Sequence, residues 1–138
     1  MTEDHRPAVL DMMDVFYHSE AVFTDGSAEI YAADVDACIS DNPYLEGYVF
    51  EQQGRVVGYA MVAKSFSTEF GKPCIWIEDL YLQPQFRHKG YGKAFFTFLD
   101  GKYPHALKRL EMEPENENAK ALYEKAGFTV LPYTEMKK

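Results

Sequence analysis

A short run of basic residues and glycines is the part of the sequence best suited to chemistry. Residues 87–92 read Arg-His-Lys-Gly-Tyr-Gly, between a strand-like run at 74–82 and a helix-like run at 93–99. A glycine-containing turn between a strand and a helix start directs free backbone N–H groups and the positive end of the helix dipole at an anion. Glycine lets that backbone approach closely, because it has no Cβ. The sequence therefore predicts a phosphate-binding turn made by Arg87, His88, Lys89, Gly90, Tyr91, Gly92 and Lys93.

A second motif lies downstream, at residues 116–128, which read Asn-Glu-Asn-Ala-Lys-Ala-Leu-Tyr-Glu-Lys-Ala-Gly-Phe. The two motifs resemble, in the same order, the Arg-x-x-Gly-x-Gly pyrophosphate loop and the later Asn-x-x-Ala-x-x-Leu-Tyr-x-x-x-Gly-Phe motif of the GNAT family of N-acetyltransferases. The close resemblance covers residues 74–128. It implies an acyltransferase whose co-substrate is acetyl-CoA, with the diphosphate of acetyl-CoA held by the first loop.

The chain length predicts a single domain over residues 1–138, and hydrophobic periodicity predicts its helices and strands. The predicted helices are 2–19, 28–40, 90–99 and 116–126, and the predicted strands are 46–52, 55–65, 74–82 and 106–113, with a final short pair at 128–130 and 133–136. This order fits the α+β fold of the family, a mixed and mostly antiparallel sheet flanked by helices. The family usually opens with a strand, but only Met1 precedes the first helix here. Either that strand is missing, or the start is shortened, or another element covers the sheet edge.

Composition narrows the range of partners. The chain has 138 residues, a net charge of −8 and 46% hydrophobic residues, which fits one packed domain. The acidic charge argues against nucleic acid or an anionic membrane and suits a cationic acceptor such as an amine. Cys38 and Cys74 lack CxxC spacing, the four histidines lack zinc-site spacing, and no apolar run could span a membrane. A cytoplasmic enzyme without a metal is expected, and an uncovered sheet edge would favour a homodimer.

The resemblance also implies roles for single residues. Glu78 is the expected general base and Tyr123 the expected acid that protonates the CoA thiolate. Backbone N–H groups of Leu80, Tyr81 and Leu82 are expected to contact pantetheine and the thioester carbonyl, and Asn116 to contact the cofactor. Each role has a structural alternative. Glu78 could make a structural hydrogen bond, and Tyr123 could be a core tyrosine. Leu80–Leu82 could belong to a plain core strand, and Asn116 could be a helix N-cap.

Strand alternation predicts which side chains share a face of the central strand. It places Glu78 on one face and Asp79 on the other. The full sets are Trp76, Glu78, Leu80 and Leu82 against Ile75, Ile77, Asp79 and Tyr81. Asp79 is expected to hydrogen-bond a neighbouring loop. In the first helix and the loop after it, an aromatic ring and carboxylates could contact a cationic acceptor; these residues are Tyr17, Glu20, Asp25 and Glu29.

The resulting expectation is acetyl transfer to a small primary amine by direct attack in a ternary complex. Two rival functions stay open at this point: a protein acetyltransferase acting on lysine or N-terminal amines, and a non-catalytic module that binds acyl-CoA. A different nucleotide ligand is disfavoured, because the loop lacks the Walker lysine-serine pair and the Rossmann glycine spacing.

Overall fold

A computed structural model describes all residues from 1 to 138. The chain folds into four helices and four strands, with short 3₁₀ turns at Glu3–His5 and Pro84–Phe86. The helices are α1 (Arg6–Tyr17), α2 (Ala28–Ile39), α3 (Tyr91–Lys102) and α4 (Glu117–Lys125). The strands are β1 (Leu45–Gln52), β2 (Arg55–Ser67), β3 (Lys72–Leu82) and β4 (Leu107–Leu110). No helix is both long and apolar enough to cross a lipid bilayer.

The sheet has the strand order β1-β2-β3-β4. Strand β2 pairs antiparallel with β1 and with β3, whereas β3 and β4 run parallel. This arrangement confirms the predicted α+β fold with a mixed, mostly antiparallel sheet. The parallel pairing of β3 and β4 requires a crossover, and helix α3 supplies it.

Two hydrophobic clusters cover the two faces of the sheet. Alternate residues of β2 point to opposite faces, so Tyr59 and Met61 pack against α1 and α2, while Ala60 and Val62 pack against α3. The first cluster is completed by Val9, Met12, Met13, Phe16, Tyr31, Val35 and Tyr81, and the second by Ile75, Ile77, Phe95, Phe96 and Leu99. Each helix pair therefore buries its own face of one sheet.

A β-bulge interrupts the central strand at Glu78. Met61 lies opposite Asp79 and Val62 lies opposite Ile77, which leaves Glu78 without a partner residue on β2. One extra residue restarts the inward and outward alternation of a strand. The predicted faces are therefore wrong: Ile77 packs toward α3, whereas Asp79 contacts Tyr17 of α1. In the same way, Ile75 does not share a face with Tyr81.

The sheet edge at β1 lies beside the segment that precedes α1. The amino group of Met1 donates to the carbonyl of Gly47 at 2.9 Å, and the His5 Nε2 atom lies 3.6 Å from a Glu51 carboxylate oxygen. No strand precedes α1, and the contacts of Met1 and His5 place the segment before α1 beside this edge. Homodimer formation through β1 stays a prediction.

The last two predicted strands are wrong. The chain after α4 forms no strand, and β4 is also shorter than the predicted 106–113. Gly127 ends α4 with φ 93°, and Pro132 has no N–H to donate to a ladder. Val130, Leu131 and Tyr133 remain exposed to solvent, so no packing energy supports a strand there.

Candidate active site

The parallel strands β3 and β4 separate halfway along β3. Their pairing runs from Cys74 with Leu107 to Ile77 with Leu110 and then stops, while β3 continues to Leu82. We call the opening between Glu78–Leu82 and the chain after Leu110 the splay. Residues of β3 beyond Ile77 have no partner in β4, so their outward N–H groups have no strand partner on that side.

The register of β2 and β3 decides which backbone groups point into the splay. The N–H of Gln83 donates to the carbonyl of Val57 at 3.0 Å, so Gln83 points its N–H toward β2. Residues two apart in a strand direct their N–H groups to the same side, and Tyr81 therefore also points toward β2. The N–H groups of Leu80 and Leu82 point to the opposite side. Of the three predicted backbone donors, two face the splay and Tyr81 does not.

The turn before α3 leaves its first N–H groups unpaired. Gly90 is the N-cap of α3, has φ 89° and makes no side-chain capping bond. The first intrahelical bond runs from the Ala94 N–H to the Gly90 carbonyl at 2.9 Å, so the N–H groups of Tyr91, Gly92 and Lys93 have no partner in the helix. His88 also has a left-handed backbone, with φ 59°. The turn is thus shaped to receive an anion.

The basic side chains of this turn are partly used within the fold. Arg87 donates from Nε to the Leu82 carbonyl at 2.9 Å, and its guanidinium lies 5.7 Å from the Tyr81 ring centroid. Lys89 Nζ lies 5.1 Å from the Phe86 ring centroid. Arg87 therefore fastens the turn to the end of β3 and keeps its remaining guanidinium N–H groups exposed.

The two sequence motifs meet where α3 packs on α4. A Cβ on Gly92 would lie 3.3 Å from a methyl carbon of Leu122, so glycine allows the helices to approach closely at this point. Gly92 is buried by that contact. Its role in the packing is separate from the turn geometry, which depends on Gly90.

Tyr123 and Asn116 occupy the helix that packs against this turn. The Tyr123 ring lies edge-on at 6.0 Å from both Phe96 and Phe128, and burial raises its pKa. Its hydroxyl has no hydrogen-bond partner within the chain, and no buried side-chain atom is unsatisfied, so the hydroxyl reaches the surface. A tyrosine that stays protonated at neutral pH with a free hydroxyl can donate a proton to a nearby thiolate. Asn116 caps α4 by accepting from the Ala119 N–H at 3.1 Å, which leaves its amide N–H groups free.

Glu78, the predicted base, is exposed at the bulge. Desolvation raises its pKa, and repulsion by the carboxylates of Glu135 and Asp34 raises it further. It forms no ion pair within the chain. A carboxylate with a raised pKa, no cationic partner and access to solvent can accept a proton from a ligand.

Asp79 is the residue that the sequence reasoning undervalued. Its carboxyl group is only 4% exposed and accepts hydrogen bonds from the hydroxyls of Tyr17 at 3.1 Å and Tyr59 at 3.0 Å. Burial raises the pKa of Asp79 to about 6, although the two hydrogen bonds act in the opposite direction. Asp79 thus bonds a helix and a strand instead of a loop. The sequence showed an acid inside an apolar strand. It did not show the bulge, and without the bulge the face and the partners of Asp79 could not be predicted.

Further carboxylates gather around Glu78. Burial raises the pKa of Asp34 in α2. The pKa of Glu111, which follows β4, is raised mainly by burial and also by Glu135. The negative charges of Glu135 and Asp34 both raise the pKa of Glu78. We call Asp34, Glu78, Asp79, Glu111 and Glu135 the acidic face, because their mutual repulsion is relieved when a cation binds among them.

The predicted first-loop acids do not join the acidic face as a group. Tyr17 reaches it through the bond to Asp79, but Asp25 accepts from the Tyr31 hydroxyl through its backbone carbonyl at 2.6 Å. The Glu29 carboxylate interacts with its own backbone N–H and with Ser27 at the start of α2, which lowers its pKa. Glu20 is exposed and forms no hydrogen bond.

Two surface cavities lie away from the splay. One, of about 400 Å³, is beside Glu46 at the β1 edge, and one, of about 480 Å³, lies between α1 and α2 near Tyr31. Neither is lined by Glu78 or Tyr123. The candidate site is therefore described by its backbone geometry and electrostatics.

Comparison with known proteins identifies relatives by sequence. The profile of the acetyltransferase (GNAT) family matches residues 10–128. A curated protein described as an uncharacterized N-acetyltransferase in the pepI 3′ region of Lactobacillus delbrueckii subsp. lactis is 32% identical over 87 residues. That alignment covers 59% of this chain and 50% of the relative, so the chain matches half the length of that protein.

Solved structures share the fold at low sequence identity. A possible acetyltransferase from Clostridium difficile 630 is 20% identical, with a TM-score of 0.79 and coverage of 98% of this chain and 91% of that one. A mutant protein from Bacillus halodurans is 15% identical, with a TM-score of 0.84 and coverage of 100% and 96%. The third is AAC(6′)-Iy in complex with the bisubstrate analog CoA-S-monomethyl-acetylneamine, at 15% identity, a TM-score of 0.79 and coverage of 100% and 93%.

Proposed function

The chain belongs to the acetyltransferase (GNAT) family, and from that premise we propose that it is an acetyl-CoA-dependent N-acetyltransferase. The reaction is transfer of an acetyl group to a primary amine by direct attack in a ternary complex. The observation that carries the proposal is the splay beside the uncapped start of α3. The end of β3 and the start of α3 each offer free backbone N–H donors, which suits a thioester that also carries phosphates.

Acetyl-CoA fits the residues around the turn. The N–H groups of Tyr91, Gly92 and Lys93, with Arg87 and Lys89 nearby, suit the diphosphate, and the N–H groups of Leu80 and Leu82 suit the pantetheine and the thioester carbonyl. Acetyl-CoA supplies the activated acetyl group. Two structures of AAC(6′)-Iy, a protein that shares the fold, are described with CoA and with a CoA-containing bisubstrate analog, which agrees with this choice of co-substrate.

The acceptor is a small cationic amine. The acidic face favours a bound ammonium ion, because Glu78, Glu111 and Asp34 repel one another. The net charge of −8 adds long-range attraction for a cation. The bisubstrate analog bound to AAC(6′)-Iy joins CoA to an acetylated amine compound, which supports the small-molecule class over a protein substrate.

The proposed mechanism divides the work among three groups. Glu78 accepts a proton from the acceptor ammonium, directly or through water, and the neutral amine attacks the thioester carbonyl. The N–H groups of Leu80 and Leu82 stabilise the oxyanion. Tyr123 donates its proton to the departing thiolate. It can do so only while it is protonated, and its raised pKa keeps the hydroxyl protonated at neutral pH.

Isothermal titration calorimetry with acetyl-CoA, ATP and NAD tests the cofactor assignment. We expect acetyl-CoA to bind most tightly and Arg87→Glu to weaken its binding at least tenfold. Lys72→Glu is the matched control, since it makes the same change of net charge at the opposite end of β3. Absence of acetyl-CoA binding by folded protein, or equal losses in the two variants, contradicts the proposal.

A thiol-release assay then identifies the acceptor. Spermidine, a lysine-containing peptide and a peptide with a free N-terminus are compared at equal concentrations. Faster transfer to spermidine supports the small amine. Faster transfer to either peptide favours a protein acetyltransferase, and cofactor binding without transfer to any amine favours a non-catalytic acyl-CoA-binding module.

A further inference from the structure

Asp79 carries the only ionisable carboxyl among the buried residues of the chain. Each of its two oxygens accepts one hydrogen bond from a tyrosine hydroxyl: Tyr17 of α1 donates to Oδ1 at 3.1 Å, and Tyr59 of β2 donates to Oδ2 at 3.0 Å. Asp79 is also the residue that directly follows the bulge in β3. One carboxyl group therefore joins α1, β2 and β3 at the point where the strand register changes.

Both tyrosine rings are fixed by their neighbours. Tyr59 is fully buried, and its ring centroid lies 6.4 Å from that of Phe16, edge-on, and 6.1 Å from that of Tyr81. The Tyr17 ring centroid lies 5.3 Å from that of Phe16 and 5.3 Å from that of Tyr31. The two hydroxyls therefore define one place for a carboxyl group, on the side of the sheet that packs against α1.

A β3 strand without the bulge would put Asp79 in different surroundings. Strand alternation would then place Asp79 on the same face as Ile77, which packs toward α3. The 7 buried residues of that cluster are all apolar, so none of them could donate to the carboxyl. Burial of a polar group without a hydrogen-bond partner is costly, whereas the bulge carries Asp79 to two donors.

We propose that Asp79 is a positioning residue for Glu78, because its bonds to Tyr17 and Tyr59 hold β3 in the bulged register that leaves Glu78 free. The inference rests on the proposed acetyltransferase function. Glu78 has no partner residue on β2 and is exposed, while Ile77 and Asp79 on either side of it are buried. The bulge thus decides which of the two adjacent acids is enclosed and which can accept a proton from an amine.

Asp79 itself is unsuited to contact a ligand. Its carboxyl group is 4% exposed, and both of its oxygens already accept a hydrogen bond. Its effect on the reaction passes through the backbone, to Glu78 on one side and to the N–H of Leu80 on the other. A small displacement of a reacting group can cost about 10²-fold in rate, so the register of these residues matters for catalysis.

Two variants at position 79 separate hydrogen bonding from charge. Asp79→Asn keeps the size and can still bond both hydroxyls, so its kcat for amine acetylation should stay within about fivefold of wild type. Asp79→Leu has a similar volume but no hydrogen-bonding group, and its kcat should fall about 10²-fold. Urea denaturation should show that Asp79→Leu is folded, because apolar replacement of a buried ionisable group is often neutral or stabilising. A purely structural role would change the stability and leave kcat unchanged.

The register can be measured without any activity assay. In the wild type, cross-strand nuclear Overhauser effects should join Met61 to Asp79 and Val62 to Ile77. We expect Asp79→Asn to keep both pairings and Asp79→Leu to lose the pairing of Met61 with position 79. Wild-type pairings in Asp79→Leu would overturn the inference, whatever its rate.

The two hydrogen bonds can also be removed one at a time. Tyr17→Phe and Tyr59→Phe each keep the ring and lose one donor, so each should lower kcat about fivefold. Tyr31→Phe is the matched control, since its hydroxyl donates to the Asp25 carbonyl at 2.6 Å and not to Asp79. It should keep the wild-type rate, and equal losses in all three variants would contradict a specific role for the Asp79 bonds.

The outcomes separate this inference from the proposed function. If wild type and Asp79→Leu acetylate an amine with the same kcat, the inference fails and the proposed function stands. If Asp79→Asn is as slow as Asp79→Leu, the charge of Asp79 is required and positioning by hydrogen bonds is refuted. If folded wild-type protein acetylates no amine, both proposals fail.

Discussion

The cofactor side and the acceptor side of the candidate site are built in opposite ways. The proposed cofactor side uses backbone N–H groups of a turn and a strand, and its residues lie in three short continuous segments, 80–82, 87–93 and 116–128. The proposed acceptor side uses carboxyl groups with raised pKa values from α2, β3 and the segment after β4. Backbone donors tolerate many side chains but require one local conformation, whereas carboxylates gain their properties only from neighbours that are distant in sequence.

This contrast predicts that changes on the two sides separate binding from chemistry. The largest effect is expected for Tyr123→Phe, which removes the free hydroxyl and keeps the ring packed on Phe96 and Phe128. We expect kcat to fall about 10³-fold, within the range of general acid catalysis, with unchanged affinity for acetyl-CoA. Steady-state thiol release and calorimetry measure the two quantities. A wild-type rate in this variant would falsify the role of Tyr123.

The second prediction tests the base. Glu78→Gln should lower kcat/KM about 10²-fold at neutral pH. In the wild type, kcat/KM should rise with pH through a pKa above the ordinary glutamate range, because Glu78 must be deprotonated to act and its pKa is raised. The variant should lose this acidic limb of the pH profile.

The matched control for the base is Glu51→Gln, an exposed acid on β1 at the other edge of the sheet. It should keep both the rate and the profile. Equal pH profiles for wild type and Glu78→Gln would assign the titration to another group, and Asp79 would be the first alternative.

The third prediction concerns stability on the acceptor side. Because burial raises the pKa of Asp79 to about 6, the folded state prefers its neutral form. The associated stability is fully present below the unfolded pKa near 3.9 and is lost as pH rises through about 6. Asp79→Asn stays neutral, so its free energy of unfolding should gain about 2 kcal/mol relative to wild type between pH 4 and pH 8.

Urea denaturation at the two pH values measures this difference. Asp11→Asn, an exposed acid on α1, is the control and should show little change with pH. The same difference at pH 4 and pH 8 for Asp79→Asn would mean that folding leaves the pKa of Asp79 unchanged, with its two tyrosine hydrogen bonds offsetting desolvation.

The smallest effect is expected for the stability of the turn before α3, where a non-glycine residue has a left-handed backbone conformation. His88 has φ 59°, so His88→Gly should be more stable than His88→Ala by about 1 kcal/mol. His18, with φ −95° at the end of α1, is the matched position, and there the glycine variant should not be favoured in this way. Thermal unfolding compares the four variants. An alanine variant as stable as glycine at position 88 would show that the turn relaxes without cost.

The sequence by itself determined the fold class and the conformation of the turn before α3. The order of helices and strands followed from periodicity, since burial of one face imposes a repeat of 3.6 or 2 residues on any chain. The Arg-x-x-Gly-x-Gly run and the Asn116–Ala119 cap are local, so their geometry depends on neighbours a few residues away. Gly90 illustrates this, because its φ of 89° follows from the turn alone.

Only the tertiary structure decided the acceptor side. The bulge at Glu78 arises from the register of β3 against β2, which no property of residues 74–82 reveals. Because of this bulge, Asp79 contacts Tyr17, which is 62 residues away in sequence, and Tyr59, which is 20 residues away. The prediction of which β3 side chains share a face was therefore wrong. The tail did not form its predicted strands, because residues 129–138 stay exposed to solvent and no packing supports a strand there. Strand pairing and charge repulsion act between distant segments, so their result exists only once the chain has folded.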